Sequence, residues 1–341
     1  MTLQKKRTRF RAYQLGNEGS SFSYFDGNWF TLIEARLNAV NEPTLNAELE
    51  KCGKEFIDTL HITSWDNDHC SANELEEILN KYKPRKIEYP GYEHTTNNYE
   101  ISLDLIEKYK IDGSTNKILH LLQTKRLNGN TITQQDLEKC TITIQKIDPD
   151  YINSLEKGSE LAYKDIVYHP KIISGSSNDN STVKLFRTGC FNVASLGDVE
   201  SRSISTDLQK RKIFSSEVDI LILAHHGADN DFTTDKFLNV VKPKVAICSS
   251  NYDNQFDHPR QEIRHLLHKY DVPLFTTKTG DVIIESYGEH THQYKVINLI
   301  SNSEKMSRVE EYESKKSYLL RLNEDTIRNR NKKTPFWKQF R

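Results

Sequence analysis

Four short β-favouring runs in this chain each lead to an acid or a histidine, and that recurrence constrains the fold more than any other feature. IDTLHIT (57–63) runs into Asp66, Asp68 and His69, and FNVASL (191–196) ends at Gly197-Asp198. VDILILA (218–224) ends at His225-His226-Gly227, and KPKVAICSS (242–250) leads to a loop carrying His258-Pro259. A nearly continuous apolar run such as VDILILA is what a strand buried on both faces requires. Open α/β sheets collect their sites where strands end. After Asp68-His69, ANELEEILNKY (72–82) places Leu75, Ile78 and Leu79 at helical spacing and is closed by Pro84. Strand, polar turn and helix in that order read as an α/β protein.

The first forty residues alternate as strands do: FRAYQL, SFSYF, the turn Asp26-Gly27-Asn28, then WFTLIEA. From 86 to 170 the pattern is weaker, with helical stretches ISLDLIEKYK and KILHLLQTKRL and a strand in CTITIQKI. Residues from roughly 106 to 170 read as an insertion within one domain spanning 1–300. Beyond it, 301–341 reads as a charged helical extension with a basic tail. There Arg328, Arg330, Lys332, Lys333, Lys338 and Arg341 are interleaved with Phe336, Trp337 and Phe340. A solvated helix explains such a tail, and so does a contact with a protein partner or a nucleic-acid backbone.

A net charge of −1 leaves no global field pulling the protein onto nucleic acid, so any such contact is local. The five cysteines form no CxxC pair, which suits reduced thiols rather than a disulfide framework. The N-terminal MTLQKKRTRFRAYQ lacks an apolar h-region, and no apolar run approaches the ~18 residues of a membrane span. These features predict a cytoplasmic protein that does not enter a membrane.

Ser64-Trp65-Asp66-Asn67-Asp68-His69 crowds two carboxylates and an imidazole at a strand-to-helix turn. Such groups repel unless a cation neutralises them, and mixed Asp/His donors suit Zn or Mn. An acidic turn that merely caps the helix explains this segment equally well on its own. The His225-His226 pair tips the balance: two histidines after a buried strand do not both sit easily in a core, and Gly227 lets the backbone turn beside them.

Taken in order, Asp66-x-Asp68-His69, Gly197-Asp198, His225-His226-Gly227 and His258-Pro259 resemble the metallo-β-lactamase superfamily. Within it the likeness is to the branch containing the metallo-β-lactamase domain of ComEC-type competence DNA-uptake channels. That branch carries HxDxDH, a serine-containing strand before Gly-Asp, and HHG ahead of a Pro-Lys strand. The matching stretches here are SWDNDH, NDNSTVKLF with SLGD, LILAHHG with KPKVAICSS, and FDHPRQEI, over roughly residues 8–290. The resemblance implies a four-layer αββα sandwich and puts Glu34 where an Asp often sits. It implies one or two divalent ions held by Asp66, Asp68, His69, Asp198 and one histidine of the pair, taken as His225. His226 and His258 are then left for catalysis. Ser64 stands where the family has a histidine. A neutral hydroxyl is a poor ligand, so the first metal position is expected to be weakened, and His61 reads as a packed residue.

The function this implies is metal-dependent hydrolysis of a phosphodiester in nucleic acid by a metal-activated hydroxide, with His226 or His258 positioning substrate or protonating the leaving group. The basic N-terminus, Lys5, Lys6, Arg7, Arg9 and Arg11, lends it support. Ser64 keeps open a degenerate fold serving as a binding or regulatory subunit of a multi-protein system such as phage defence. Hydrolysis of a small non-phosphate ester is a third reading.

Overall fold

The structure is a computed structural model that describes residues 7–128, 131–149, 164–170, 176–287 and 293–316. Its first half runs β1 (Arg9–Ala12), β2 (Phe22–Phe25), β3 (Phe30–Ile33), α1 (Glu42–Lys51), β4 (Thr59–His61), α2 (Ala72–Tyr82), β5 (Lys86–Pro90), α3 (Asn97–Leu127), α4 (Gln134–Cys140) and β6 (Thr143–Ile147). The second half runs β7 (Ile166–Tyr168), β8 (Val183–Phe186), β9 (Val193–Ser195), α5 (Arg202–Lys210), α6 (Lys212–Glu217), β10 (Ile220–Ile222), α7 (Asp235–Val241), β11 (Val245–Cys248) and α8 (Gln261–Lys269). The strands β12 (Leu274–Thr276), β13 (Val282–Tyr287), β14 (Gln293–Leu299) and β15 (Met306–Glu313) close it.

These strands form two sheets, ordered β15-β14-β13-β1-β2-β3-β4-β5-β6 and β12-β11-β10-β9-β8-β7. In the larger sheet the meander β13-β1-β2-β3 is antiparallel and β3-β4-β5-β6 is parallel. In the smaller, β9-β10-β11-β12 is parallel and β7-β8-β9 antiparallel. Three buried clusters define the layers. Phe10, Phe22 and Ile33 of one sheet meet Phe186, Ile220 and Val245 of the other between the sheets. Leu45 and Leu49 of α1 and Leu75 and Ile78 of α2 cover the outer face of the larger sheet. Ile204 of α5, Phe237 of α7 and Ile263 of α8 cover the smaller. This is the four-layer αββα sandwich expected from the motifs.

The segment expected as an insertion supplies edge strands to both sheets: β6 pairs with β5, and β7 with β8. The two helical stretches read in it are one helix, α3. A larger correction concerns the charged stretch after Ser303. Residues 306–313, expected to be helical, form β15, which pairs with β14 across the boundary placed at residue 300. Helix-favouring Glu and Arg yield there to cross-strand packing. Tyr312 lies opposite Tyr294 in register, and their rings stack at 5.6 Å. The basic aromatic tail from Arg328 lies outside the described residues, as do Lys5 and Lys6.

The basic N-terminus is also corrected in part. Arg9 and Arg11 are buried within β1, where Arg9 pairs with Glu48 and Glu285 and Arg11 with Asp281 and Glu48. They are spent on ion pairs beneath the surface and offer nothing to a nucleic acid. Among the described residues no helix is long and apolar enough to cross a membrane.

Candidate metal centre

The site lies where strands of both sheets run out at the same rim of the sandwich. The turn after β4 delivers Asp68 and His69, the turn after β9 delivers Asp198, the turn after β10 delivers the two histidines, and the segment after β11 delivers Ser249. Glycine is required at two of these turns. Gly197 has φ +55°, and a Cβ there would stand 2.7 Å from the Ser181 Cβ. Gly227 has φ +79°, and its Cβ would stand 2.7 Å from Pro259. His225 and His226 themselves adopt left-handed φ of 46° and 52°. Non-glycine residues tolerate that only where the surroundings hold them, and functional sites are where such strain collects.

Asp68, His69, Asp198 and His226 each aim one donor atom into a common space, with all four atoms within 4.8 Å of one another. Asp198 Oδ2 lies 2.9 Å from His69 Nε2, and Asp68 Oδ2 lies 3.2 Å from His226 Nε2. His69 Nε2 is fully buried, and its contact with Asp198 falls short of hydrogen-bond geometry. A buried nitrogen left unpaired beside a carboxylate is the geometry of two donors aimed at a third party. The donor set, two carboxylates and two imidazoles, suits a divalent ion of the Zn or Mn type.

Both imidazoles are fixed from behind. The His226 Nδ1–H donates to the Ser249 carbonyl at 2.9 Å, which leaves Nε2 as the free ligating atom. His69 Nδ1 lies 3.2 Å from Glu34 Oε1, and Glu34 in turn accepts from the Thr63 amide and hydroxyl. A carboxylate behind a histidine sets its tautomer and raises its basicity toward a metal. Asp198 is held by its own amide, which donates to Ser181 Oγ at 3.1 Å. Burial opposes charge on His69, but the carboxylates of Asp198, Glu34 and Asp68 overcome it and raise its pKa. Burial likewise opposes ionisation of Asp68, and the His69 and His226 charges hold its carboxyl well below the usual range.

The other expected residues fall around this group rather than in it. The structure places His226 among the four donors and His225 outside them, the reverse of the roles expected from sequence. His225 Nδ1 instead lies 2.6 Å from Glu200 Oε1. Asp66 is also outside: its Oδ2 accepts from Ser64 Oγ at 2.8 Å, and its Oδ1 faces His94 Nε2 at 3.4 Å. His258 stacks parallel to His226 with ring centroids 6.3 Å apart. Desolvation, then His226 and His225, push its pKa down to about 4. Glu200, Ser249 and His94 escaped the sequence reading, because no local spacing ties them to the motifs. Two clefts meet at Asp68. One is open, of about 650 Å³, and lined by Arg36, Asp66, Asp198 and His225. The other is narrow and lined by His226, Asn254 and His258.

No protein-family model matches the chain. Among curated proteins it is 26% identical over 150 residues to the ComE operon protein 3 of Bacillus subtilis, covering 42% of this chain and 19% of that one. It is 34% identical over 58 residues to the competence protein ComA of Neisseria gonorrhoeae, covering 17% of this chain and 8% of that one. It is 29% identical over 109 residues to recombination protein 2 of Haemophilus influenzae, covering 31% and 13%. The chain thus spans at most 19% of these curated relatives. Among solved structures it is similar to Igni18, a metallo hydrolase of Ignicoccus hospitalis, at 13% identity and a TM-score of 0.48, covering 83% of this chain and 100% of that one. The metallo-β-lactamase fold protein YhfI of Bacillus subtilis gives 11% identity and a TM-score of 0.43, covering 82% and 100%. The layered topology stands on its own. The chain has a metallo-β-lactamase-type fold and resembles the ComEC-type branch. The four-donor group is one that could hold a metal ion.

Proposed function

We propose that this protein is a metal-dependent phosphodiesterase acting on nucleic acid. The observation that carries the reading is the convergence of Asp68, His69, Asp198 and His226 on one point at the floor of an open cleft. When bound there, a divalent ion supplies an acidified water and a counter-charge for a phosphoryl oxygen. The residues around it divide the remaining work. Glu34 and Ser249 hold the two imidazoles in their ligating tautomers. His258, neutral near pH 7, accepts a hydrogen bond from substrate in the narrow cleft; the Glu200–His225 pair borders the open one. The preference for nucleic acid draws on relatives named for competence and recombination, since the fold alone sets no substrate.

The test is cleavage of single- and double-stranded DNA and RNA, with a chromogenic phosphodiester alongside, after loading with Zn or Mn. Cleavage is expected to need the ion and to vanish in Asp68→Ala and His226→Ala. Intact substrates throughout, from protein that has taken up its metal, would overturn the reading. The hydrogen bond that Ser64 gives Asp66 favours one alternative, a fold kept as a binding subunit. That reading expects unchanged nucleic-acid affinity in the same two variants.

A further inference from the structure

The family resemblance implies that a second ion would use Asp66, and in this structure that carboxylate is engaged by Ser64 and faced by His94. Resting on the hydrolase reading above, we propose that the centre holds one divalent ion, and that Ser64 and His94 occupy Asp66 where a second would bind. Ser64 is fully buried and its hydroxyl is locked: it donates to Asp66 Oδ2 at 2.8 Å, receives the Asp66 amide at 3.2 Å and touches Tyr92 Oη at 3.2 Å. Tyr92 also accepts from the Trp65 amide at 3.1 Å, so the whole turn is braced from the loop after β5.

The same loop supplies His94. Its Nε2 faces the other Asp66 oxygen at 3.4 Å, while its Nδ1 lies 3.0 Å from Thr96 Oγ1. Tyr92 and Tyr99 flank the ring, with centroids 6.1 and 6.4 Å away. Both oxygens of Asp66 therefore face protein groups outside the four-donor space, Ser64 Oγ on one side and His94 Nε2 on the other. Among the described residues, the groups able to converge on an ion are the four donors without Asp66. The imidazole that the sequence lacks at position 64 is thus present from another loop, on the far side of the carboxylate. On that side of the cleft Asp66 rests against hydrogen-bonding groups, Ser64 and His94, instead of a second cation.

The experiment counts ions and needs no substrate. The full chain is stripped, reloaded with Zn or with Mn and desalted, then measured by elemental analysis, with electron paramagnetic resonance on the Mn form. About one equivalent is expected in the wild type, with the spectrum of an isolated ion, and about one in Asp66→Asn and in His94→Ala. Asp198→Asn is expected to fall well below one under the same conditions. Two equivalents in the wild type, or a spin-coupled Mn pair, overturns the proposal; loss of one of them in Asp66→Asn or His94→Ala would place the second ion on those residues. No metal in the wild type overturns this proposal and the hydrolase reading together. One equivalent without cleavage removes only the hydrolase reading.

Discussion

Two buried clusters of carboxylate and imidazole lie along β4 and its continuation, and their charge is balanced in opposite ways. The first is internal to the sandwich. Glu88 pairs with Lys184 at 2.8 Å and Lys86 at 2.6 Å, Asp165 lies 3.8 Å from Lys184, and His61 Nδ1 stands 3.0 Å from Glu88. Two acids meet two lysines there, and burial lowers the His61 pKa so that the ring stays neutral. The second, at the rim, gathers Glu34, Asp68 and Asp198 around His69 and His226. Among the described ion pairs none of those three carboxylates has a lysine or arginine. One histidine therefore has its pKa lowered by the same burial that the other, eight positions on, overcomes through carboxylates that carry no lysine or arginine among the described ion pairs. What separates a packing cluster from a metal site here is net charge, not residue type.

The largest effect is expected where the balance is internal. Lys184→Met strips the buried cation from Glu88 and Asp165, and urea unfolding should show a loss of roughly 3–5 kcal/mol. Metal content should stay at the wild-type value. A variant of normal stability with reduced metal would break the distinction between the clusters. At the rim the dependence reverses. Excess metal at about a thousandfold over its dissociation constant should add ~4 kcal/mol to unfolding, and Asp198→Asn should lose that gain. In chelator the same variant should lose stability as well, because the Asp198 carboxylate balances the charged His69 that it faces at 2.9 Å. Thermal unfolding with and without metal reads both outcomes.

The strands whose ends carry the site were legible because they are nearly pure apolar runs stopped by polar residues. Their sheet order was not, since pairing is decided by contacts far apart in sequence. β15 escapes local reading for the same reason: its charges face solvent whether it is helix or strand, and its pairing along β14, with Tyr294 opposite Tyr312, distinguishes the two. The motifs pointed to Asp68, His69 and Asp198, which stand together. They did not settle which of two adjacent histidines turns inward. That depends on the left-handed backbone at both and on the Ser249 carbonyl, from the segment after β11, 23 residues on. Glu34, by contrast, sits at a recognisable motif position.

Glu34→Gln sharpens the comparison at a smaller scale. The amide keeps the shape but withdraws the charge behind His69, and metal affinity should weaken by about 10–100-fold. Isothermal titration reads this, with unfolding in chelator as the control. An unchanged affinity would mean that Glu34 serves only to pin the Thr63 backbone.

The smallest effect, per unit of pH, separates the clusters by sign. His61 has a folded pKa below its ordinary 6.5, so the unfolded chain takes up the proton first. Its contribution to stability is present above 6.5 and is lost as pH falls toward the folded value. His69 and His226 are raised in the metal-free protein. Their contribution is present below 6.5 and is lost as pH rises through the folded values. Metal must displace those protons, so the stability difference between loaded and stripped protein should grow with pH from 6 to 8. The slope approaches about 1.4 kcal/mol per pH unit for each proton displaced. His61→Phe should leave that slope unchanged while flattening the acid limb of the stripped protein near 6.5. If it alters the slope, the two clusters titrate as one, and the separation between packing and metal site fails.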